Sequence, residues 1–202
     1  MPSAVKSDMK ERILATADKL FYLQGIRAIG VDTIAAEVGI SKRTLYNHFP
    51  SKDALIAAYL ERRFVQPRLS DKPPAEQILA TFDSLERRFA AKDFRGCPFV
   101  NAVAELGAGD RAVKKIAVAF KESRRVWFRD RLNELGVAAA DALATQLVLL
   151  VDGSIAQDLV RDDPAMARAA KEAAKVLLRN AGVDVGDDAA KPAVKRGKRA
   201  PH

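Results

Sequence analysis

Apolar residues recur at three- and four-residue spacing along most of the chain, and alternating strand-like runs are scarce, so the pattern predicts an all-α protein. Ile13, Leu14, Ala17, Leu20 and Phe21 mark a first helix that Ser7 or Asp8 can cap and Gly25 ends. Met1 to about Ser7 is expected to be a frayed arm. Ile34, Ala35 and Val38 form one face of a second helix. Gly39 stops it, because glycine takes the left-handed conformation at least steric cost. Ser41 suits the N-cap of a third, short helix. There Leu45 and Phe49 point inward, and Lys42, Arg43, Thr44, Tyr46, Asn47 and His48 cover the rest of the surface. Ser51-Lys52-Asp53 starts a fourth helix to about Phe64, with Ala54, Leu55, Ala58 and Tyr59 facing the first three.

Pro67, Pro73 and Pro74, with Ser70, Asp71 and Lys72, mark a linker and place a boundary near Gln66. A fifth helix carries the stripe Ile78, Leu79, Phe82, Leu85 and Phe89. Cys97-Pro98-Phe99 opens a sixth, with proline at its favoured first position and Val100, Val103, Ala104 and Leu106 expected to pack. Asp110 caps a seventh helix, on which Lys121, Arg124, Arg125, Arg129 and Arg131 are expected to form a solvated face. The eighth, Ala140 to Arg161, is the most apolar: Leu143, Leu147, Val148, Leu150, Val151, Ile155 and Leu159 nearly surround it, which predicts burial on more than one side. Asp163-Pro164 begins a ninth, rich in alanine, through Asn180. From Gly182 the periodicity is lost, and a basic tail with Lys191, Lys195, Arg196, Lys198 and Arg199 is expected to be disordered. The predicted organisation is a helix-turn-helix module with its connecting fourth helix over residues 1–66, a helical bundle over 67–181 and a tail over 182–202.

Two short helices joined by a glycine turn, the second rich in cations and hydrogen-bonding groups, suit a helix-turn-helix DNA reader. The order IAAEVGISKRTLYNHFPSKDAL resembles the DNA-binding signature of the TetR family of bacterial transcription regulators. The matching positions are Ile34-Ala35, Gly39, Ser41, Leu45-Tyr46, Phe49, Ser51-Lys52 and Leu55, extended back through Arg12 to Ala15 and Leu20-Phe21 to Gly25. The resemblance covers about the first third of the chain. Gly96 to Ala102 resembles a stretch found in a subset of the same family.

That resemblance implies a homodimer paired through the last two helices, a double-stranded operator with inverted half-sites, repression as the default, and release by a small-molecule effector held among the C-terminal helices. It also implies that Lys42, Arg43 and Tyr46 approach base edges. By chemistry, arginine can take guanine and asparagine adenine through paired hydrogen bonds, which fits Arg43 and Asn47. Thr44, Tyr46, His48 and Lys52 are placed for phosphate oxygens, and Thr33 offers a further hydroxyl. The family usually has Thr or Ser where Gly30 stands; glycine can cap a helix but brings no hydroxyl, so Asp32 and Thr33 are the residues that can stand in. Candidate effector-pocket residues are Phe82, Phe89, Phe99, Asn101, Val103, Trp127 and Gln146.

A formal net charge of +8 and a pI near 9.7 favour a polyanionic partner. A single cysteine, Cys97, excludes an intramolecular disulfide. No apolar run is read as reaching the ~18–20 residues that span a bilayer, and the N-terminus lacks the apolar core of a secretory signal; a cytoplasmic protein with no membrane partner is expected. No cofactor is implied. His48 has no neighbouring metal ligands, and no nucleophile elbow, phosphate loop or metal-ligand spacing points to an enzyme. Two alternatives to an effector-released regulator stay open: a redox- or electrophile-responsive one acting through Cys97, whose place at a helix start beside Arg95 favours thiolate, and a ligand-independent architectural DNA binder.

Overall fold

The computed structural model describes residues 2–66, 70–107 and 109–186, with side chains from residue 8 onward. Among them are nine helices and no strand: α1 (Pro2–Gln24), α2 (Val31–Val38), α3 (Lys42–His48), α4 (Lys52–Arg63), α5 (Pro74–Phe89), α6 (Pro98–Leu106), α7 (Arg111–Glu134), α8 (Ala140–Arg161) and α9 (Ala165–Asn180). They form two compact units, and neither is contiguous in sequence. Met1–Val65 clusters with Cys97–Phe120, and Gln66–Gly96 with Lys121–His202. The units thus do not follow a single cut in the sequence: α6 and the first part of α7 cluster with the N-terminal helices.

In the first unit, α1 buries Ile13, Ala17, Leu20, Phe21 and Tyr22 and packs on α2 and α4; Ile34 and Val38 of α2 and Leu45 of α3 are buried as well. Phe21 meets Tyr59 of α4 edge to face at 5.6 Å. The buried face of α4 is Leu55, Ile56, Tyr59 and Leu60. Ile56 and Leu60 take the place expected for Ala54 and Ala58, because α6 also packs on α4. Helix α1 begins at Pro2, where a frayed arm is expected. Proline at a first helical position has its backbone angle preset and lacks the amide that would go unbonded, and the residues that follow are good helix formers. On α6, Phe99 and Ala102 are buried, while Val100 and Ala104 face outward instead of packing.

The second unit has its core between α5, α8 and α9, where Ile78, Phe82, Phe128, Leu132, Leu147, Val151 and Leu178 close together. Arg168 pairs with Glu86, and Lys171 reaches Asp83 at 2.9 Å, tying α9 to α5. The cations of α7 do not form a solvated face. Arg131 is buried, bonded to Glu134 and set beside the Trp127 ring at 5.8 Å. Lys121 reaches Asp152 at 2.5 Å, Arg125 holds both Glu122 and Asp141, and Arg124 and Arg129 are half-buried. Carboxylates one turn away and on α8 draw these arms down over apolar surface, where their methylene stems pack.

Helix α8 also departs from expectation. It buries one stripe, Ala140, Leu143, Ala144, Leu147, Val151, Ser154 and Asp158, and leaves Leu149, Leu159 and Val160 exposed. By length and composition it would suffice to cross a bilayer, which the sequence reading denies of any segment. Its stripe packed on α9 and α5, with Asp158 wholly buried, is that of a core helix with one open side. Past α9, Gly182 turns at φ 80° and Val183 is buried. The basic residues of the tail expected to be disordered from Gly182 on lie outside the described ones.

Candidate nucleic-acid interface

The turn between α2 and α3 is built from local chemistry. Gly39 adopts φ 77°, where a side chain would be strained. The amides of Gly39 and Ile40 close the end of α2 on Ala36 O (3.1 Å) and Ala35 O (2.9 Å). Ser41 then caps α3, its Oγ accepting from the Thr44 amide at 3.0 Å. Arg12 of α1 donates to the Val38 carbonyl at 3.1 Å and satisfies a helix end that would otherwise face water. Leu45 and Phe49 fix α3 inward, and the Lys10 ammonium sits over the Phe49 ring at 5.5 Å. A seven-residue helix is too short to stand alone; these anchors hold it.

What remains on α3 is a polar face. Arg43, Asn47 and Tyr46 are exposed, Tyr46 to 40%. Thr33 on α2 is exposed as well. Lys42 is exposed but donates to Asp32 at 3.0 Å, a bond that raises the ammonium above the ordinary lysine range and keeps it charged. Asp32 is thereby drawn toward α3, and Gly30 caps α2 with no side-chain bond. Thr44 and His48 are half-buried, and the Thr44 hydroxyl lies 2.8 Å from that of Ser41. Lys52 is half-buried and donates to the Ile26 carbonyl at 2.7 Å; a phosphate contact would require it to leave that partner. The roles of Arg12, Lys10 and the Lys42–Asp32 pair were not read from sequence.

Helix α4 is tied to α1 by charge. Arg63 grips Asp18 with two bonds of 2.6 and 2.8 Å and stacks on the Tyr22 ring at 4.0 Å, and Arg62 pairs with Glu11. Burial works against the Arg63 charge, and the bonds to Asp18 outweigh it, so its pKa is raised. Burial likewise pushes the neighbouring Tyr59 phenol up.

Residues 13–59 match the profile of the bacterial regulatory proteins of the tetR family, and residues 74–173 match that of the C-terminal domain of LmrA/YxaF-like transcriptional regulators. The crystal structure of SCO4454, a TetR-family transcriptional regulator from Streptomyces coelicolor, superposes with a TM-score of 0.79 at 31% identity, over 87% of this chain and 96% of that one. The chain belongs to the TetR family. Among its relatives, the uncharacterized HTH-type transcriptional regulator YxaF of Bacillus subtilis is 26% identical over 188 residues, covering 88% of this chain and 98% of that protein. The HTH-type transcriptional regulator LmrA of the same organism is 28% identical over 160 residues, covering 73% and 85%. As a TetR-family protein it is a DNA-binding transcription regulator, and α2 and α3 are its helix-turn-helix.

The candidate effector residues of this TetR-family chain are divided between the two units. Phe99, Asn101 and Val103 belong to the first unit; Phe82, Phe89, Trp127 and Gln146 belong to the second. Phe99 stacks on Phe120 at 3.8 Å, with Phe64 edge-on to both rings. Phe82 and Trp127 share one core, and Phe89 packs with Phe94 at 4.9 Å. Gln146 is exposed on α8 and faces no interior. The buried Trp127 Nε1 has no hydrogen-bond partner. A cleft of about 430 Å³ in the second unit is lined by Lys72, Leu79, Asp83, Lys171 and Val185 among others, and none of the seven candidates reaches it. Cys97 is buried at the N-cap of α6.

Proposed function

We propose that this TetR-family regulator is a cytoplasmic homodimeric repressor that reads an inverted-repeat operator with α3 and is released by a small-molecule effector. In this reading residues 1–66 read DNA, 67–181 dimerise and bind the effector, and 182–202 form an appended basic tail. The observation that carries it is the face of α3. Arg43, Tyr46 and Asn47 stand exposed on a helix fixed from behind by Leu45 and Phe49. Arginine and asparagine can each recognise a base edge through two bonds, and Tyr46 and Thr33 can bond phosphates.

Dimerisation is supported by what α8 and α9 leave uncovered. Gln146, Leu149, Gly153, Ala156 and Val160 form an exposed stripe at alternating three- and four-residue spacing, and Ala169 and Val176 are exposed on α9. A glycine inside a helix costs roughly 0.5–1 kcal/mol relative to alanine. A methyl group at Gly153 would meet nothing within 4 Å in this chain. Close approach by a second copy supplies the reason this chain lacks. Two such subunits would set their readers about 34–36 Å apart, one turn of DNA. An effector that prefers the DNA-incompetent state by ~1–3 kcal/mol would weaken operator binding about 5–150-fold. The burial of Cys97 disfavours a redox input, since an oxidant must reach the sulfur.

Selection of duplexes from a randomised pool by the full-length protein tests the reading. The expected product is an inverted repeat with half-site centres about one helical turn apart. Recovery of no common sequence would refute it.

A further inference from the structure

One peptide group in the first unit is held at both ends by opposite charges. The carbonyl of Ile26 accepts from Lys52 Nζ of α4 at 2.7 Å, and the amide of Arg27 donates to Glu105 Oε2 of α6 at 3.0 Å. These two atoms belong to the same planar unit. The cation stands at the negative end of its dipole and the carboxylate at the positive end, so both hydrogen bonds are charge-assisted. Glu105 also passes close to the residue before this peptide. Gly25 lies at φ 94°, and a Cβ there would fall 3.0 Å from Glu105 Oε2. The same turn is anchored inward by Ile26 and Ile29, both buried.

This turn sets where α2 begins. Gly30 caps α2 without a side-chain bond, so no capping side chain holds that helix start. Fixing the Ile26–Arg27 plane fixes the backbone angles on either side of it, a few residues before the cap. Helix α2 in turn carries α3 through the Gly39 turn. We propose that Lys52 and Glu105 are positioning residues for operator binding, pinning the Ile26–Arg27 peptide and through it the angle of the α2–α3 reader. The proposal rests on the reading of α3 as the operator reader. It gives α6, 78 positions downstream in sequence, a direct part in reader geometry.

The test uses full-length protein and a duplex that the wild type has selected from a randomised pool. Glu105→Ala is expected to weaken binding roughly 5- to 20-fold, the scale of one charge-assisted hydrogen bond partly compensated by water. Glu105→Gln keeps an oxygen that accepts from the Arg27 amide and should recover most of the affinity. The Arg27 amide resonance should be downfield and slow to exchange in the wild type and in Glu105→Gln, and lose both properties in Glu105→Ala. Glu105→Asp, whose arm is one methylene shorter, should behave like the alanine variant and replaces it if that variant does not fold. Lys52→Met should weaken binding with an unchanged slope of log affinity against log salt. A slope smaller by about 0.9 would mean that Lys52 neutralises a phosphate instead, and would overturn its share of the proposal. Wild-type affinity in a folded Glu105→Ala, equal losses in the Ala and Gln variants, or an unmoved Arg27 resonance would overturn the rest. If the wild type selects no duplex, the reader reading fails, and the Arg27 resonance still reports on the pinned peptide by itself.

Discussion

Helices α3 and α8 each bury one side and leave the other bare, and the bare sides have opposite chemistry. On α3 the uncovered groups are Arg43, Tyr46 and Asn47; on α8 they are Leu149, Gly153, Ala156 and Val160. Charged and amide groups in water cost nothing to leave exposed, and they find stronger partners only where a polyanion or a base edge is offered. A row of small apolar groups in water forgoes burial worth roughly 25 cal/mol per Å² and gains it back only against a matching surface. Lack of cover thus points to nucleic acid at one helix and to protein at the other. The two helices also differ in what holds them. The short α3 depends on a serine cap, a glycine turn and two anchors, whereas α8 is long and packs along its length.

The comparison breaks most visibly at α8. Leu149→Asp places a charge in the proposed seam. An unpaired buried charge costs about 3–5 kcal/mol, so the protein should sediment as a monomer and bind its operator more than roughly 100-fold more weakly. An unchanged mass would remove α8 from the interface. Next is α3. Arg43→Ala should cost ~1–3 kcal/mol in binding to the selected duplex and relax the preference at one base position, with thermal stability unmoved because the side chain is exposed. Weakening spread evenly over all sequences would make Arg43 a phosphate ligand. Third, Ser41→Ala removes the cap of α3 and should destabilise the protein by about 1 kcal/mol, read by denaturant titration, with no change in base preference.

The smallest effect concerns acid. Glu122 is held below the usual carboxylate range by its bond to Arg125. A depressed carboxylate adds stability that is present above its unfolded pKa and disappears as pH falls through the folded one. Glu122→Gln should therefore lower stability slightly at neutral pH, and the deficit should close as pH falls below the ordinary glutamate value near 4.5, which flattens the acid side of the stability curve. Because the pair is solvent-facing, high salt should erase the difference.

What could be read from sequence was what neighbours in the chain decide. Gly39, Ser41, Leu45 and Phe49 act within one or two turns of themselves, and their roles follow from spacing and residue type. Asp110 and Pro98 start their helices for the same reason. What could not be read depends on partners far along the chain. Nothing near Lys52 in the chain announces the Ile26 carbonyl it donates to, and nothing near Gly25 announces Glu105. The apolar excess of α8 suggests burial on more than one side, because periodicity counts apolar positions and cannot say which of them this chain covers. The cations of α7 look solvated for the converse reason, since the carboxylate Asp152 that receives Lys121 sits 31 positions away. Of the reader face, Arg43, Tyr46, Asn47 and Thr33 stand open, while Lys42, Thr44 and Lys52 already have bonds within the protein.

Two copies of α3 are held to read two half-sites together, and that is where the account is most exposed. The direct measurement is an anisotropy titration of full-length protein against the selected inverted repeat and against the same duplex with one half-site scrambled, at one fixed salt concentration. Paired readers predict that scrambling one half-site lowers affinity by at least about tenfold, since every mismatched base pair costs ~1–3 kcal/mol. Equal affinity for the two duplexes would contradict it.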